Sequence, residues 1–160
     1  MSFVSILEAG RRDFLNATHN ISPEQAAARN GGWSVLECIE HVVTVERRYL
    51  DWLADGTAIT RRRDGEKEMR LFTLIRNRLT KVETPEILQP RGRFVSLADA
   101  HTEFKIVRDR SVQVAQERGE ALYSVGARHP HFGDLNGAEL LQLIDGHARR
   151  HADQIRELCE

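Results

Sequence analysis

The sequence has only two cysteines, Cys38 and Cys159, and they lie far apart. That rules out a disulfide framework and makes a reducing compartment the expectation. Four prolines and no alternating β-branched run leave little from which to build a sheet. No apolar run approaches the roughly 20 residues of a membrane span. A formal net charge of -1 removes the electrostatic case for nucleic acid or an anionic membrane surface. The opening stretch, MSFVSILEAGRRDF, lacks the basic, long apolar and small-residue regions of a signal peptide. The expectation is therefore a cytoplasmic protein with no membrane or nucleic-acid partner. There is no internal repeat, and 160 residues suit one domain, 1–160, with one sizeable core.

What the chain does have is helical period. Asn136 to Leu158 reads as one amphipathic helix, with Asn136 as N-cap and Glu139 completing a capping box. At about 100° per residue, Leu140, Leu143, Ile144, Ile155 and Leu158 share one face. His147 and His151 fall in the middle of that apolar face, one turn apart. A buried imidazole must find polar partners. Two of them at i and i+4 can aim ring nitrogens at one point, as His pairs on metal-binding helices do. The competing reading is two separately satisfied core histidines, or one buried and one at the rim.

The rest of the chain supplies further helices. The first is expected from about Phe3 to Asn16. Ser22-Pro23-Glu24-Gln25 opens a short one that Asn30-Gly31-Gly32 stops. Ser34 and Glu37 form a capping box for a long helix reaching about Asp55, with Trp33 placed to staple onto Cys38. His41 lies at the border of its apolar face, where a histidine bonded to a neighbour is the plain reading. Glu46 projects into the centre of the apolar arc, where a carboxylate is costly unless paired. It can orient a metal-bound histidine, or pair with an arginine from another helix, for which Arg108 is the candidate. Gly56 to Lys67 reads as a polar connection whose Arg61-Arg62-Arg63 run is solvated. Glu66 to Val82 reads as a helix with Met69, Phe72, Ile75 and Leu79 inward. Ala54 to Phe94 is then a long crossover carrying one short helix, a connection that joins parallel neighbours in a bundle. Ser96, with Asp99 at N3, caps a helix ending near Gly119. His101 on it is a weaker candidate ligand. Tyr123 to Leu135 reads as a loop that delivers His129 and His131 to a site entrance or to water.

The fold class expected is all-α. Within it, His41, His147 and His151 make a consistent set on two helices. Three neutral imidazoles can bind a divalent transition metal and leave positions open, the catalytic rather than the structural arrangement. Gln154, beside His151, can hydrogen-bond a water at such a site. No Ser-His-Asp set, glycine-rich phosphate loop or CxxC motif offers a competing chemistry. No residue stands out as a general base.

Several short motifs now resemble a known family. They are Gly32-Trp33-Ser34 with Glu37 and His41, then His129-Pro130-x-Phe132-Gly133-x-Leu135, and finally His147-x-x-x-His151-x-x-Gln154-Ile155. Together they resemble the DinB-like superfamily of bacterial four-helix-bundle metalloproteins, which includes YfiT-type metal-dependent hydrolases. The resemblance spans about residues 3 to 158. It implies an up-down-down-up bundle, frequent homodimers, and metal-ligand roles for His41, His147 and His151. The implied metal is nickel or zinc first, iron or manganese next. Characterised relatives include bacillithiol S-transferases and mycothiol-dependent isomerases, which implies a low-molecular-weight thiol as cosubstrate. Fold analogy does not choose among these chemistries. The leading expectation is a metal-dependent hydrolase or thiol S-transferase acting on a small molecule. The alternatives are a non-catalytic metal-binding or stress-related bundle, and a metal-free interaction module.

Overall fold

Side-chain caps set where the helices begin. The computed structural model of the chain describes residues 2–160. Ser2 accepts from Ser5 N and starts α1, Phe3–Ala17. Full capping boxes, Ser22 with Gln25, Ser34 with Glu37 and Asn136 with Glu139, open α2 (Pro23–Ala27), α3 (Val35–Ala54) and α6 (Gly137–Leu158). Asp64 and Ser96 each accept one backbone N–H at the starts of α4 (Gly65–Arg76) and α5 (Leu97–Arg118). Each cap satisfies donors that a helix start would otherwise leave orphaned.

The contacts between helices fix their directions. Glu46, Asp51 and Leu53 of α3 meet Arg108, Arg110 and Arg118 of α5 in that order, so α3 and α5 run parallel. Gly10 and Asp13 of α1 meet Asp145 and Arg156 of α6 in the same sense. His41 meets His147 while Leu53 meets Gly137, so α3 and α6 are antiparallel. Leu7 meets Arg108 while Thr18 meets His101, so α1 and α5 are antiparallel as well. The result is an up-down-down-up four-helix bundle of α1, α3, α5 and α6. The crossover between α3 and α5 carries α4, which lies along α6. Gly146 allows that approach: a Cβ there would stand 2.3 Å from Ile75 Cγ2.

Inside the bundle, Leu7, Phe14, Ile39, Leu50, Phe104, Leu140 and Ile155 belong to one continuous core. The same interior holds a fully buried guanidinium. Arg108 Nε and Nη2 donate to both oxygens of Glu46, at 2.8 and 3.1 Å. Its Nη1 donates to Leu7 O at 3.0 Å and to Asp145 Oδ1 at 3.3 Å. Ser111 Oγ donates to Glu46 Oε1 at 2.7 Å. Glu46 therefore pairs with Arg108, and it does not orient a histidine.

Two expectations need correction. Tyr123 to Leu135 is not all loop. After a 3-10 turn, β2 (Val125–His129) and β3 (Gly133–Asn136) form an antiparallel hairpin, and β1 (Thr57–Ala58) adds to β2. Strands this short leave no period to read, and β2 is only partly buried. The helix expected to Val82 stops at Arg76. Asn77 turns the chain there, its side chain accepting from Leu79 N at 2.9 Å. Met69, within α4, and Leu79, beyond its end, face outward at 64% and 94% exposure, and Leu71 takes the inner position. The Arg61-Arg62-Arg63 run is solvated as expected, and its side chains also have partners. Arg61 bonds Glu120, Arg62 bonds Glu139, and Arg63 lies over the Tyr123 ring. Among the described residues no helix is long and apolar enough to cross a membrane.

Candidate metal centre

α3 and α6 bring three imidazoles to one point. His147 and His151 are one turn apart on α6, and His41 comes from the antiparallel α3 opposite. His147 Nε2 stands 3.1 Å from His41 Nε2 and 3.2 Å from His151 Nε2. All three residues are buried, and one ligand atom from each lies within 4.8 Å of the others. Nitrogens each about 2.1 Å from one ion stand about 3.0 Å apart at right angles and about 3.4 Å apart at the tetrahedral angle. The two observed separations fall between those limits.

The outer nitrogens fix the tautomers. His41 Nδ1 donates to the Leu88 carbonyl at 2.8 Å, and His151 Nδ1 donates to Gln154 Oε1 at 2.8 Å. A neutral imidazole carries one N–H. The Nε2 atoms of His41 and His151 are therefore both acceptors, and both face His147 Nε2. That third nitrogen has at most one proton to offer two acceptors. Burial keeps the set neutral. It lowers the pKa of His41 and pushes that of His151 down to about 3. His147 falls well below its ordinary value for the same reason, with the neighbouring histidines adding to the shift. Arg150 also disfavours protonation of all three. Neutral imidazoles converging through lone pairs are the donor set of a divalent transition metal. The three buried histidines could hold one such ion.

Trp33 closes one side, with its ring 4.8 Å from that of His41 and 6.3 Å from that of His151. The crossover brings the Leu88 carbonyl to His41. Arg150 donates to Asn77 O and Thr80 O and holds the end of α4 against α6. The other candidates lie elsewhere. His101 bonds the Thr18 hydroxyl at 2.7 Å. His129 neither lines the centre nor sits free in water. Its Nδ1 accepts from His131 N and Phe132 N, and its Nε2 donates to Tyr49 Oη at 2.8 Å, which pins the hairpin to α3. His131 is exposed. Gln154 is spent on His151. A groove of about 720 Å³ runs past Trp52, Ile59 and Arg128. Trp52 is 11 residues beyond His41, about 16 Å further along α3.

Sequence reasoning missed Glu40 and the Leu88 carbonyl. Glu40 is buried beside His41 in sequence, and its oxygens accept from Arg91 N and Arg93 N. A carboxylate next to a candidate ligand on a well-buried helix was the available signal.

The sequence profile of the DinB superfamily matches residues 6–155. The chain is also 24% identical over 162 residues to a Bacillus subtilis (strain 168) protein named "Uncharacterized protein YuaE", covering 98% of this chain and 97% of that one. No solved structure matches it. With a profile match across nearly its whole length and the bundle that carries the three histidines, this chain belongs to the DinB superfamily.

Proposed function

We propose that the chain is a metal-dependent enzyme in which His41, His147 and His151 hold one divalent transition ion, with nickel or zinc the leading candidates. The observation that carries this reading is the convergence of three neutral Nε2 atoms with at most one proton among them. Three protein donors leave coordination positions open, unlike the closed four-ligand set of a structural zinc site. When bound, such an ion supplies Lewis acidity that makes water or a thiol a better nucleophile near neutral pH.

The chain's own residues prepare the place. Leu88 O and Gln154 Oε1 hold His41 and His151 in the ligating tautomer. Burial lets the site stay deprotonated well into acid. Trp33 and the crossover exclude bulk water from one side. The substrate is a small molecule, and the reaction is hydrolysis or transfer to a low-molecular-weight thiol.

Cobalt substitution tests the reading. A low-molecular-weight thiol that shifts the visible spectrum of the Co²⁺ protein, and that shift's absence in His147→Ala, supports thiol transfer. No shift with any thiol, together with turnover of an ester or amide panel, supports hydrolysis. The absence of both the thiol shift and the turnover would overturn the enzyme reading.

A further inference from the structure

Glu40 and His41 are adjacent on α3, and both grip the same short segment of the crossover. His41 Nδ1 donates to the carbonyl of Leu88 at 2.8 Å. Glu40, 3% exposed, accepts from Arg91 N at 2.6 Å and from Arg93 N at 2.8 Å, one on each oxygen. Among the described residues no basic side chain forms an ion pair with it. Gly92 lies between the two donors with φ +73, a left-handed turn that suits glycine. The start of the segment is also tied down: Leu88 N donates to Pro85 O and Gln89 N to Glu86 O, closing a 3-10 turn.

The arrangement is costly for a simple tie between loop and helix. A buried carboxylate needs strong partners, and here its partners are two main-chain N–H groups of the segment that carries Leu88. The three histidines are also held differently. His151 donates its outer hydrogen bond to Gln154 on its own helix, whereas His41 donates to a carbonyl of the crossover. Only a crossover fixed relative to α3 can orient His41. We propose that Glu40 is a positioning residue of the metal centre: it fixes the 86–93 segment, and the Leu88 carbonyl in that segment orients the His41 imidazole.

This inference rests on the metal reading above, and its test separates the two. The probe is Zn²⁺ alone, titrated into apo protein against a chromophoric chelator at a temperature where every variant is folded. Glu40→Ala is expected to weaken Zn²⁺ binding about 10-fold, the scale of losing an outer hydrogen bond to a ligand. Glu40→Gln should fall between, since its amide keeps one acceptor for the two N–H groups. Gly92→Ala strains the segment without touching α3 and should weaken binding in the same direction. Gly133→Ala, with similar strain at φ +76 in the hairpin, should leave the affinity unchanged. The Co²⁺ spectrum should change in Glu40→Ala and Gly92→Ala and not in Gly133→Ala. If Glu40→Ala does not fold, the two glycine variants decide. Wild-type affinity and spectrum in Glu40→Ala or Gly92→Ala would overturn the inference and leave the metal reading standing. A wild type that binds no Zn²⁺ would overturn both.

Discussion

Two buried polar clusters share α3 and α6, and they are built on opposite rules. Around Arg108 the charges are complementary and the groups are spent on one another. The guanidinium faces two carboxylates, a carbonyl completes its bonding, and Ser111 adds a donor to Glu46. Gly10 leaves the room this needs, since a Cβ there would stand 1.8 Å from Asp145 Oδ1. Around His147 the groups are alike, neutral and convergent, with more acceptors than protons. Asp145 and His147 are two residues apart on one helix, so they point to different sides of it. The first cluster is complete without any addition and belongs to the fold. The second leaves ring nitrogens with more lone pairs than protons between them, and it could hold a cation.

The contrast can be broken from the fold side first. Arg108→Ala leaves Glu46 buried without its cation and Asp145 with Arg149 alone, and should cost about 3–5 kcal/mol or prevent folding. Chemical denaturation of the apo protein would show it. Removing the ion acts on the other cluster alone. A ligand at about 1,000 times its Kd stabilises the folded state by about 4 kcal/mol, so chelation should lower Tm in wild type and leave His147→Ala unmoved.

Gly10→Ala crowds Asp145 and should destabilise by about 1–3 kcal/mol with no change in Zn²⁺ affinity. Acid should find the histidine cluster in the apo protein. His151 has its folded pKa pushed down to about 3 by burial, while the unfolded side chain protonates near its ordinary value of 6.5. Below pH 6.5 the unfolded state binds the extra proton, so stability falls as pH falls. This histidine alone should cost about 2 kcal/mol by pH 5, readable as a falling denaturation midpoint. The smallest effect is expected from Gln154→Leu. It frees the outer nitrogen of His151 and should weaken Zn²⁺ binding about 10-fold while barely altering the apo fold, as chelator competition would report.

Local chemistry makes much of this legible in the sequence. The Ser34–Glu37 and Asn136–Glu139 boxes are written at a spacing of three, and both capping boxes form. The i, i+4 spacing of His147 and His151 puts them on one face without help from the rest of the chain. Glu46 and Arg108 could be paired in advance because each was an ion on an apolar face. What escaped depends on distant partners. Glu40 reads as one more charged helix residue until the 91–93 turn reaches it. β1 has two residues and exists only because β2 lies beside it. Met69 and Leu79 kept helical spacing in sequence, yet α4 turned Leu71 inward and ended at Arg76. Asp145 looked ordinary on a helix whose burial was set by α1 and α5.

Metal content reports on whether His41, His147 and His151 hold an ion. Untagged wild-type protein and His147→Ala would be compared by elemental analysis. The expected result is about one equivalent of divalent transition metal in the wild type and none in the variant. No metal in either, even after incubation with Zn²⁺ and Ni²⁺ and desalting, would contradict it.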